Sequence, residues 1–198
     1  MLQPGDLPPI LGLEPFSVVE GLDLGVSPGN LRSRQLQHPF YGTRSVGLDL
    51  STANDSARAY APRLRPGDVF SHDTAARLWS LPLPLYIGNR IHVSAATPGR
   101  APETRGVVGH QLTLEAGDVQ LLHGLPLTSP ALTWSIMAGV LRVEDLVALG
   151  DAVVTQPFRS TVSLATIDDL RREVQRGRGK RGQQLRELAI DQVRRGPL

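Results

Sequence analysis

Five histidines carry the side chains in this sequence that are best suited to binding a metal ion or transferring a proton. They are His38, His72, His92, His110 and His123. None is paired with another at the i, i+4 spacing that places two imidazoles on one helix face, and none has a second ligand at a recognised zinc-binding spacing. We therefore predict no metal site and no cofactor. His72 is expected to make structural hydrogen bonds, and His92 and His110 are expected at half-exposed strand positions.

Residue combinations typical of enzymes are incomplete. Ser71, His72 and Asp73 are the residue types of a hydrolase triad, but three consecutive residues cannot converge as nucleophile, base and orienting acid. The glycines near Gly177 lack the ending of a P-loop, and the one lysine, Lys180, lies among them rather than on the strand that a PD-(D/E)xK nuclease needs. We predict that the protein is not an enzyme. An active site assembled from distant residues is the alternative left open.

The chemistry that remains is that of a cationic surface able to contact phosphate groups. One segment combines guanidinium and amide groups that could reach phosphates or purine edges in a major groove, and its members are Ser27, Asn30, Arg32, Arg34 and Arg44. The alternative for this segment is a solvated helix face. A second segment suits sequence-independent contact with a phosphate backbone or, equally, an interdomain linker, and its cations are Arg176, Arg178, Lys180 and Arg181.

Composition and charge set the compartment and the class of protein. The chain has 198 residues, 40% of them hydrophobic, and no cysteine, which excludes disulfides and thiolate metal sites. The net charge of +2 is uneven, because nine basic and three acidic residues fall between Arg171 and Leu198. The first basic residue is Arg32, and no apolar stretch approaches the roughly 20 residues of a spanning helix. We expect a cytoplasmic protein without a membrane partner.

The elements that must position these cations begin after a lead rich in proline and glycine. Phe16, Val19 and Leu22 keep helical spacing up to Gly25. Ser27 followed by Pro28 predicts an N-cap and a first-turn proline for a second helix, which we extend to Leu36. A strand is predicted over 40–46. The order is therefore helix, turn, helix, strand, although the first helix of a full winged helix-turn-helix is replaced by the lead.

The rest of the chain predicts a small sheet with flanking helices. Strands are expected at 68–70, 91–95, 107–112 and 119–122. Helices are expected over 57–64, after a Ser71 cap, after Ser129 with Pro130 in the first turn, from Val143, after a capping box formed by Thr166 and Asp169, and around Leu185, Leu188 and Val193. The glycine-rich stretch 176–182 between the last two is predicted to be a basic loop.

Several segments together resemble the AbiEi-type antitoxins of actinobacteria, many of which continue into a very-short-patch-repair-like endonuclease domain. The segments are VSPGNLRSRQLQHPFYGTRS (26–45), RAYAPRLRPGDVFSHDTAARLWSLPLP (58–84), IHVSA (91–95), RGVVGHQL (105–112), GLPLTSPALTW (124–134) and DLVALGDAVV (145–154). The stretch RGRGKRGQQLRELAIDQVRRG (176–196) resembles the basic helical segment that leads into the nuclease domain of longer relatives. The resemblance implies a degenerate winged helix-turn-helix and an α/β body whose partner is a nucleotidyltransferase-like toxin. It transfers no catalytic residue.

We therefore predict an α+β protein in four parts: a flexible lead at 1–13, a degenerate winged helix-turn-helix at 14–48, an α/β antitoxin-like body with a small sheet at 49–160, and a basic helical segment at 161–198. The predicted function is that of a DNA-associated transcriptional regulator in a toxin–antitoxin system. Its reading helix is the one from Ser27 to Leu36, its wing is the strand 40–46, and Arg44 contacts phosphate. The alternative is a protein-interaction module that neutralises a nucleotidyltransferase-like toxin or docks a very-short-patch-repair-like endonuclease domain.

Overall fold

The computed structural model describes residues 7–155 and 163–194. Within them it has nine α-helices, a 3-10 turn and seven strands in two sheets, which confirms the α+β class. No helix in this part of the chain has the length and apolar character needed to cross a membrane. Residues 1–6 of the predicted lead, the predicted boundary at 160/161 and residues 195–198 of the basic segment lie outside the described residues.

A small N-terminal unit comes first. Its elements are α1 (Pro9–Leu13), β1 (Phe16–Ser17), α2 (Val18–Asp23), α3 (Pro28–Leu31) and β2 (Thr43–Arg44). The two short strands pair antiparallel and form a sheet of their own. The chain therefore runs helix, strand, helix, helix, strand, and the second strand returns beside the first.

Local capping sets where α2 and α3 begin. Ser17 and Glu20 form a capping box, in which Ser17 Oγ accepts from Glu20 N at 3.1 Å and the Glu20 carboxylate accepts from Ser17 N at 2.6 Å. Gly25, at φ +83°, takes the left-handed conformation that lets the chain reverse after α2. Ser27 Oγ then accepts from Asn30 N at 3.2 Å, which confirms the predicted N-cap.

The described part of the predicted flexible lead contributes two side chains to a core. Residues Leu7 and Leu11 are each 5% exposed, and they join the core of the N-terminal unit, whose other members are Phe16, Val26, Leu31 and Leu36. Leu11 lies on α1, and Leu7 lies in the chain before the helix, yet both reach the same core. The prediction missed them because α1 is too short for a recognisable apolar period.

The body begins with α4 (Ala53–Tyr60), the 3-10 turn Ala61–Arg63, β3 (Asp68–Phe70) and α5 (His72–Leu78). Four more strands follow: β4 (Ile91–Ala96), β5 (Val107–Leu112), β6 (Val119–Leu122) and β7 (Leu125–Thr128). The five strands of the body lie in the order β5-β4-β3-β7-β6. The β4–β5 and β3–β7 pairs are parallel, and the β3–β4 and β6–β7 pairs are antiparallel.

Four helices complete the body: α6 (Pro130–Met137), α7 (Val143–Val154), α8 (Ile167–Arg176) and α9 (Gln183–Ile190). The predicted caps are confirmed, because Ser129 Oγ accepts from Leu132 N at 3.3 Å and Thr166 forms a capping box with Asp169. The nearly all-apolar α6 is central as expected and packs against α5, α7 and α8. Its Trp134 is fully buried and donates from Nε1 to the Leu146 carbonyl at 2.9 Å.

Several elements differ from the prediction, among them the helix predicted over 57–64, which is α4 at Ala53–Tyr60 followed by the 3-10 turn. The helix predicted from Ser27 to Leu36 ends at Leu31 after one turn, because Gly29, Asn30 and Ser33 are weak helix formers and Arg32 N already bonds back to Gly29 O at 3.1 Å. The predicted strand 40–46 is reduced to Thr43–Arg44, since a turn occupies the residues before it. The prediction omitted β7, whose Pro126 weakens the strand pattern.

Candidate functional site

The first group of predicted DNA-contacting residues lies on α3 and the segment that follows it. Ser27 is occupied as the helix cap, and Asn30 is half-buried. Arg32 is exposed, but its Nε donates to the Pro28 carbonyl at 3.0 Å, which holds the side chain along the helix turn. Arg34 is exposed beyond the end of α3. Because α3 has four residues, these side chains do not share the face of one long helix.

Arg44 lies on β2, as predicted, and is anchored to the backbone of the N-terminal unit. Its Nε donates to the Leu31 carbonyl, and its NH1 donates to the Thr43 carbonyl at 2.7 Å. Burial lowers the pKa of Arg44 from the ordinary value of an arginine. The side chain is half-buried and ties the end of α3 to β2, and it also lines the cleft described next.

A cleft of about 1310 Å³ separates the N-terminal unit from the body. Its walls are residues 38–44 of the N-terminal unit, the 3-10 turn and the loop 102–106 of the body. Four arginines and one acid are among the lining residues: Arg44, Arg63, Arg65, Arg105 and Glu103. This cleft, which we call the arginine cleft, concentrates positive charge beside the strand predicted to be the wing.

A tight turn places an aromatic ring at the mouth of the arginine cleft. Thr43 Oγ1 accepts from Phe40 N at 3.2 Å and donates to Phe40 O at 3.1 Å, which closes the turn and leaves Tyr41 84% exposed at its tip. The Arg63 guanidinium lies 5.9 Å from the centre of the Tyr41 ring, within reach of a cation–π contact. Gly42 has φ +79°, and a Cβ there would meet Arg63 NH1 at 3.2 Å.

The arginines of the cleft are not equally available. Arg65 is held by Asp68 through two hydrogen bonds, Nε to Oδ2 at 2.9 Å and NH2 to Oδ1 at 3.0 Å, and this pairing raises the pKa of Arg65. Arg63, in the 3-10 turn, and Arg105, in the loop 102–106, are exposed. They are therefore the cations of the arginine cleft best placed to meet an anion, and neither was among the residues predicted from the sequence.

Arg176, which was predicted to contact phosphate, is paired with carboxylates of this chain. It donates from NH1 to Asp118 at 2.7 Å and to Glu173 at 3.1 Å, and its Nε lies 3.3 Å from a carboxylate oxygen of Glu115. The hydrogen bonds with Asp118 are the main reason that the pKa of Arg176 is raised. Burial raises the pKa of Glu173 in the same cluster. Arg176 thus joins α8 to the loop before β6, because three carboxylates surround its charge.

The other three cations of the second group lie on an ordered turn between α8 and α9. Arg178, Lys180 and Arg181 are exposed. Under the turn lies Arg186, which is 3% exposed. It donates to the carbonyls of Ser135 at 3.1 Å, Gly177 at 2.7 Å, Lys180 at 3.3 Å and Arg181 at 3.0 Å.

The close approach of Arg186 to the turn depends on a glycine, because a Cβ on Gly177 would lie 2.5 Å from Arg186 Nε. The stretch predicted to be a basic loop is therefore a turn built around a buried guanidinium, and sequence reasoning missed Arg186.

A cluster of three histidines lies on the sheet, and the sequence did not predict it. His72 follows β3, His92 is on β4 and His110 is on β5. The parallel register pairs His110 with Ser94, which is two residues after His92, so His92 and His110 project from the same face. His92 Nδ1 lies 3.0 Å from His110 Nε2, and the His72 ring stacks on His110 with centroids 3.7 Å apart.

Two of the three imidazole rings use one ring nitrogen to contact a polar side chain outside the cluster. His92 Nε2 lies 3.1 Å from Asp73 Oδ1, and the other oxygen of Asp73 accepts from Arg77 at 2.5 Å. His72 Nδ1 lies 2.9 Å from Ser71 Oγ, which does not cap α5 as predicted. Since Asp73 faces His92 rather than His72, the consecutive Ser-His-Asp residues form no triad.

Burial favours the neutral form of all three histidines. Burial, with smaller contributions from the neighbouring His110 and His92, lowers the pKa of His72 to about 3. Burial also lowers the pKa of His92, against the opposing effect of Asp73, and it lowers the pKa of His110. His72 has φ +53°, a left-handed conformation that non-glycine residues adopt at a cost of roughly 1–3 kcal/mol.

Comparison of the chain with known protein families, with curated proteins and with solved structures gave no match. The resemblance to AbiEi-type antitoxins stays a prediction from the sequence segments that carry it.

Proposed function

We propose that this protein is a non-catalytic, DNA-associated regulator of antitoxin type, and that it contacts the DNA backbone through the arginine cleft. The observation that carries the proposal is the set of arginines at that cleft, of which Arg63 and Arg105 are exposed. Guanidinium groups match the geometry of phosphate oxygens and keep their charge at any physiological pH. The exposed Tyr41 hydroxyl adds a group able to hydrogen-bond a phosphate.

The order of the N-terminal elements supports a degenerate winged helix-turn-helix. Helices α2 and α3 are joined by a short turn, and β2 returns antiparallel to β1. In this proposal β2 and the turn before it are what remains of the wing, and Arg44 braces them. The wing would then lie at the arginine cleft, beside the backbone of the bound duplex.

The proposed contact is with phosphates rather than with base edges. A reading helix presents several side chains along the major groove. Helix α3 has only one turn, and Arg32 Nε donates a hydrogen bond to the Pro28 carbonyl. We therefore assign Arg32 and Arg34 to contacts with the DNA backbone as well. The same assignment applies to the cations on the C-terminal turn, Arg178, Lys180 and Arg181. Backbone contacts position a protein on DNA without selecting a sequence.

Fluorescence anisotropy with two labelled duplexes of equal length tests the proposal, one from the protein's own upstream region and one of shuffled sequence. At low salt the wild-type chain should bind both. The pair Arg63→Ala and Arg105→Ala should weaken binding about tenfold or more, and the pair Arg32→Ala and Arg34→Ala should weaken it less.

The matched control removes two charges from the outer face of α8, where Arg171 and Arg172 are exposed and paired within the helix. The pair Arg171→Ala and Arg172→Ala should leave the affinity within about twofold of wild type. Absence of binding by the wild-type chain at low salt would overturn the proposal, and so would equal weakening by the cleft pair and the control pair.

A second candidate function is a protein-interaction module, and exposed apolar side chains on the N-terminal unit favour it. Leu13 is 78% and Val19 65% exposed, and Leu22 and Leu24 are also exposed within the same short stretch. In this function a protein partner would cover these side chains. The partner would be a nucleotidyltransferase-like toxin or a very-short-patch-repair-like endonuclease domain encoded next to this chain. Co-expression with that neighbour should give a complex that Val19→Ser with Leu22→Ser disrupts, whereas a wild-type chain that elutes alone would exclude this function.

A further inference from the structure

We infer that His72, His92 and His110 form a binding site for one divalent transition metal ion of the zinc type, a site that goes beyond the proposed DNA contact. One ligand atom from each histidine can be chosen so that all three lie within 4.8 Å of one another. Neutral imidazole nitrogens are preferred ligands of Zn²⁺ and of its neighbours in the transition series. The proposal depends on the convergence of these three side chains from three separate segments.

The hydrogen bonds behind the rings determine which nitrogen of each is free. Because His92 Nε2 faces Asp73 and His72 Nδ1 faces Ser71, the remaining nitrogens are Nδ1 of His92 and Nε2 of His72. His110 presents Nε2 to His92. A ligating histidine that donates its second N–H to a carboxylate is a common arrangement at zinc sites, since the carboxylate fixes the tautomer and makes the ligand more basic.

Asp73 is well placed for this supporting role. It is buried at the start of α5, and Arg77 on the next turn binds its second oxygen. The carboxylate is therefore fixed in orientation and points one oxygen at His92. His72 also has a polar partner, Ser71, whose Oγ contacts Ser94 Oγ at 2.7 Å and so links the loop after β3 to β4.

Binding one ion through all three rings requires the stacked His72 and His110 rings to tilt relative to each other. Two nitrogens bound to one tetrahedral zinc at about 2.1 Å lie roughly 3.4 Å apart, and His92 Nδ1 and His110 Nε2 are 3.0 Å apart. Without a metal, this contact is an N–H···N hydrogen bond in which His110 donates, because His92 already directs its own N–H at Asp73. With a metal, both nitrogens are acceptors, so the His110 proton moves to Nδ1. The His72 ring, now stacked on His110, turns so that the ion lies in the plane of both.

Three protein ligands leave a coordination position open, and a cavity of about 330 Å³ lies beside the cluster to receive a fourth ligand. Lys180, Arg181 and Arg186 line this cavity. Arg186 Nε is a buried donor for which the described residues provide no acceptor. The fourth ligand is therefore expected to be water, hydroxide or an anionic group such as a carboxylate or phosphate.

Zinc titration of the full chain against a chromophoric chelator, with the stoichiometry checked by elemental analysis after dialysis, tests the inference. The wild-type chain should bind one zinc ion. His92→Gln and His110→Gln should each weaken the affinity more than about 100-fold, and Asp73→Asn should weaken it about 10–100-fold. The control is His123→Asn, which changes an exposed histidine at φ +50° to a residue that tolerates the same backbone conformation and should bind as wild type does.

A second measurement needs no variant at the cluster and remains decisive if those variants misfold. In histidine-ring NMR spectra of the wild-type chain, zinc should shift the signals of His72, His92 and His110 and leave those of His38 and His123 in place. Assignments come from His38→Asn and His123→Asn. No saturable zinc binding by the wild-type chain would overturn the inference, as would zinc shifts at His38 or His123 instead of the cluster.

Discussion

Arg186 and Arg178 show that burial decides whether an arginine of this protein binds backbone carbonyls inside the fold or faces solvent. Arg186 is buried and donates to four backbone carbonyls from two segments. Arg178, eight residues earlier, is exposed on the turn that Arg186 supports. Arg186 provides the hydrogen bonds that water would otherwise give to these carbonyls. Arg178 remains exposed and can contact a phosphate group of another molecule.

Arg186→Met should lower the free energy of unfolding by about 3 kcal/mol, because several buried carbonyls lose a charged donor and the methionine cannot replace it. Arg178→Met removes the same charge from the surface and should change the free energy by less than about 0.5 kcal/mol. Urea denaturation of the two variants beside wild type provides the measurement. Equal losses in both would mean that Arg186 does not hold the turn.

The sequence predicted few of the individual residues that form the candidate sites. Of the arginines that line the arginine cleft, the sequence predicted only Arg44 as a site residue. It missed Arg63, Arg105 and the histidine cluster because each of these depends on which segments are neighbours in space. His92 and His110 become adjacent only through the β4–β5 register. Alternation within each strand predicts the face, but no residue in either strand predicts the partner strand.

At the scale of elements, the helix caps connect sequence and structure most directly. Asp169 accepts from Thr166 N at 2.7 Å, and Thr166 Oγ1 accepts from Asp169 N at 3.1 Å, so both groups satisfy donors at the first turn of α8. The hydrogen bond from the Thr166 side chain is the main reason that the pKa of Asp169 is lowered from its ordinary value, and Arg172 adds to the effect. The ionised carboxylate therefore stabilises the folded chain.

The contribution of Asp169 should depend on pH. Since its folded-state pKa lies below the unfolded value of 3.8, its stabilisation is complete above that value and is lost as the pH falls through the folded pKa. Asp169→Asn should cost about 1 kcal/mol at pH 6, and the difference from wild type should shrink below pH 4. Urea denaturation across this range measures it.

The neighbouring Asp168 provides the control for this prediction, because it is exposed in the same turn and pairs with Arg171. Asp168→Asn should have an effect below about 0.5 kcal/mol at both ends of the range. A loss for Asp169→Asn that is the same at pH 6 and pH 3.5 would contradict the role assigned to its charge.

The starts of helices could be predicted where an N-cap residue marks them, and the ends of helices could be predicted less well. Ser27, Ser129 and Thr166 each begin a helix as predicted, because a side-chain acceptor satisfies backbone donors that any helix start leaves free. The end of α3 was not predicted. The chain leaves the helix after Leu31, and Leu36 nevertheless reaches the same core.

At the scale of the whole molecule, the candidate surface arises where two parts of the chain meet. The N-terminal unit has its own core, and it packs against α4 and the 3-10 turn of the body. The salt bridge between Glu14 and Arg58, at 2.8 Å, joins the two parts near this contact. The arginine cleft lies between them, so its cations come from segments that are separate in sequence and could not be grouped from the sequence alone.

The salt dependence of DNA binding tests the account most directly. The logarithm of the binding constant falls linearly with the logarithm of salt concentration, with a slope of about −0.9 for each phosphate that the protein neutralises. The pair Arg63→Ala and Arg105→Ala should make the slope shallower by about 2, while the control pair at Arg171 and Arg172 should leave it unchanged. A wild-type slope near zero, or a cleft variant whose slope equals that of wild type, would contradict the assignment of the arginine cleft to the DNA backbone.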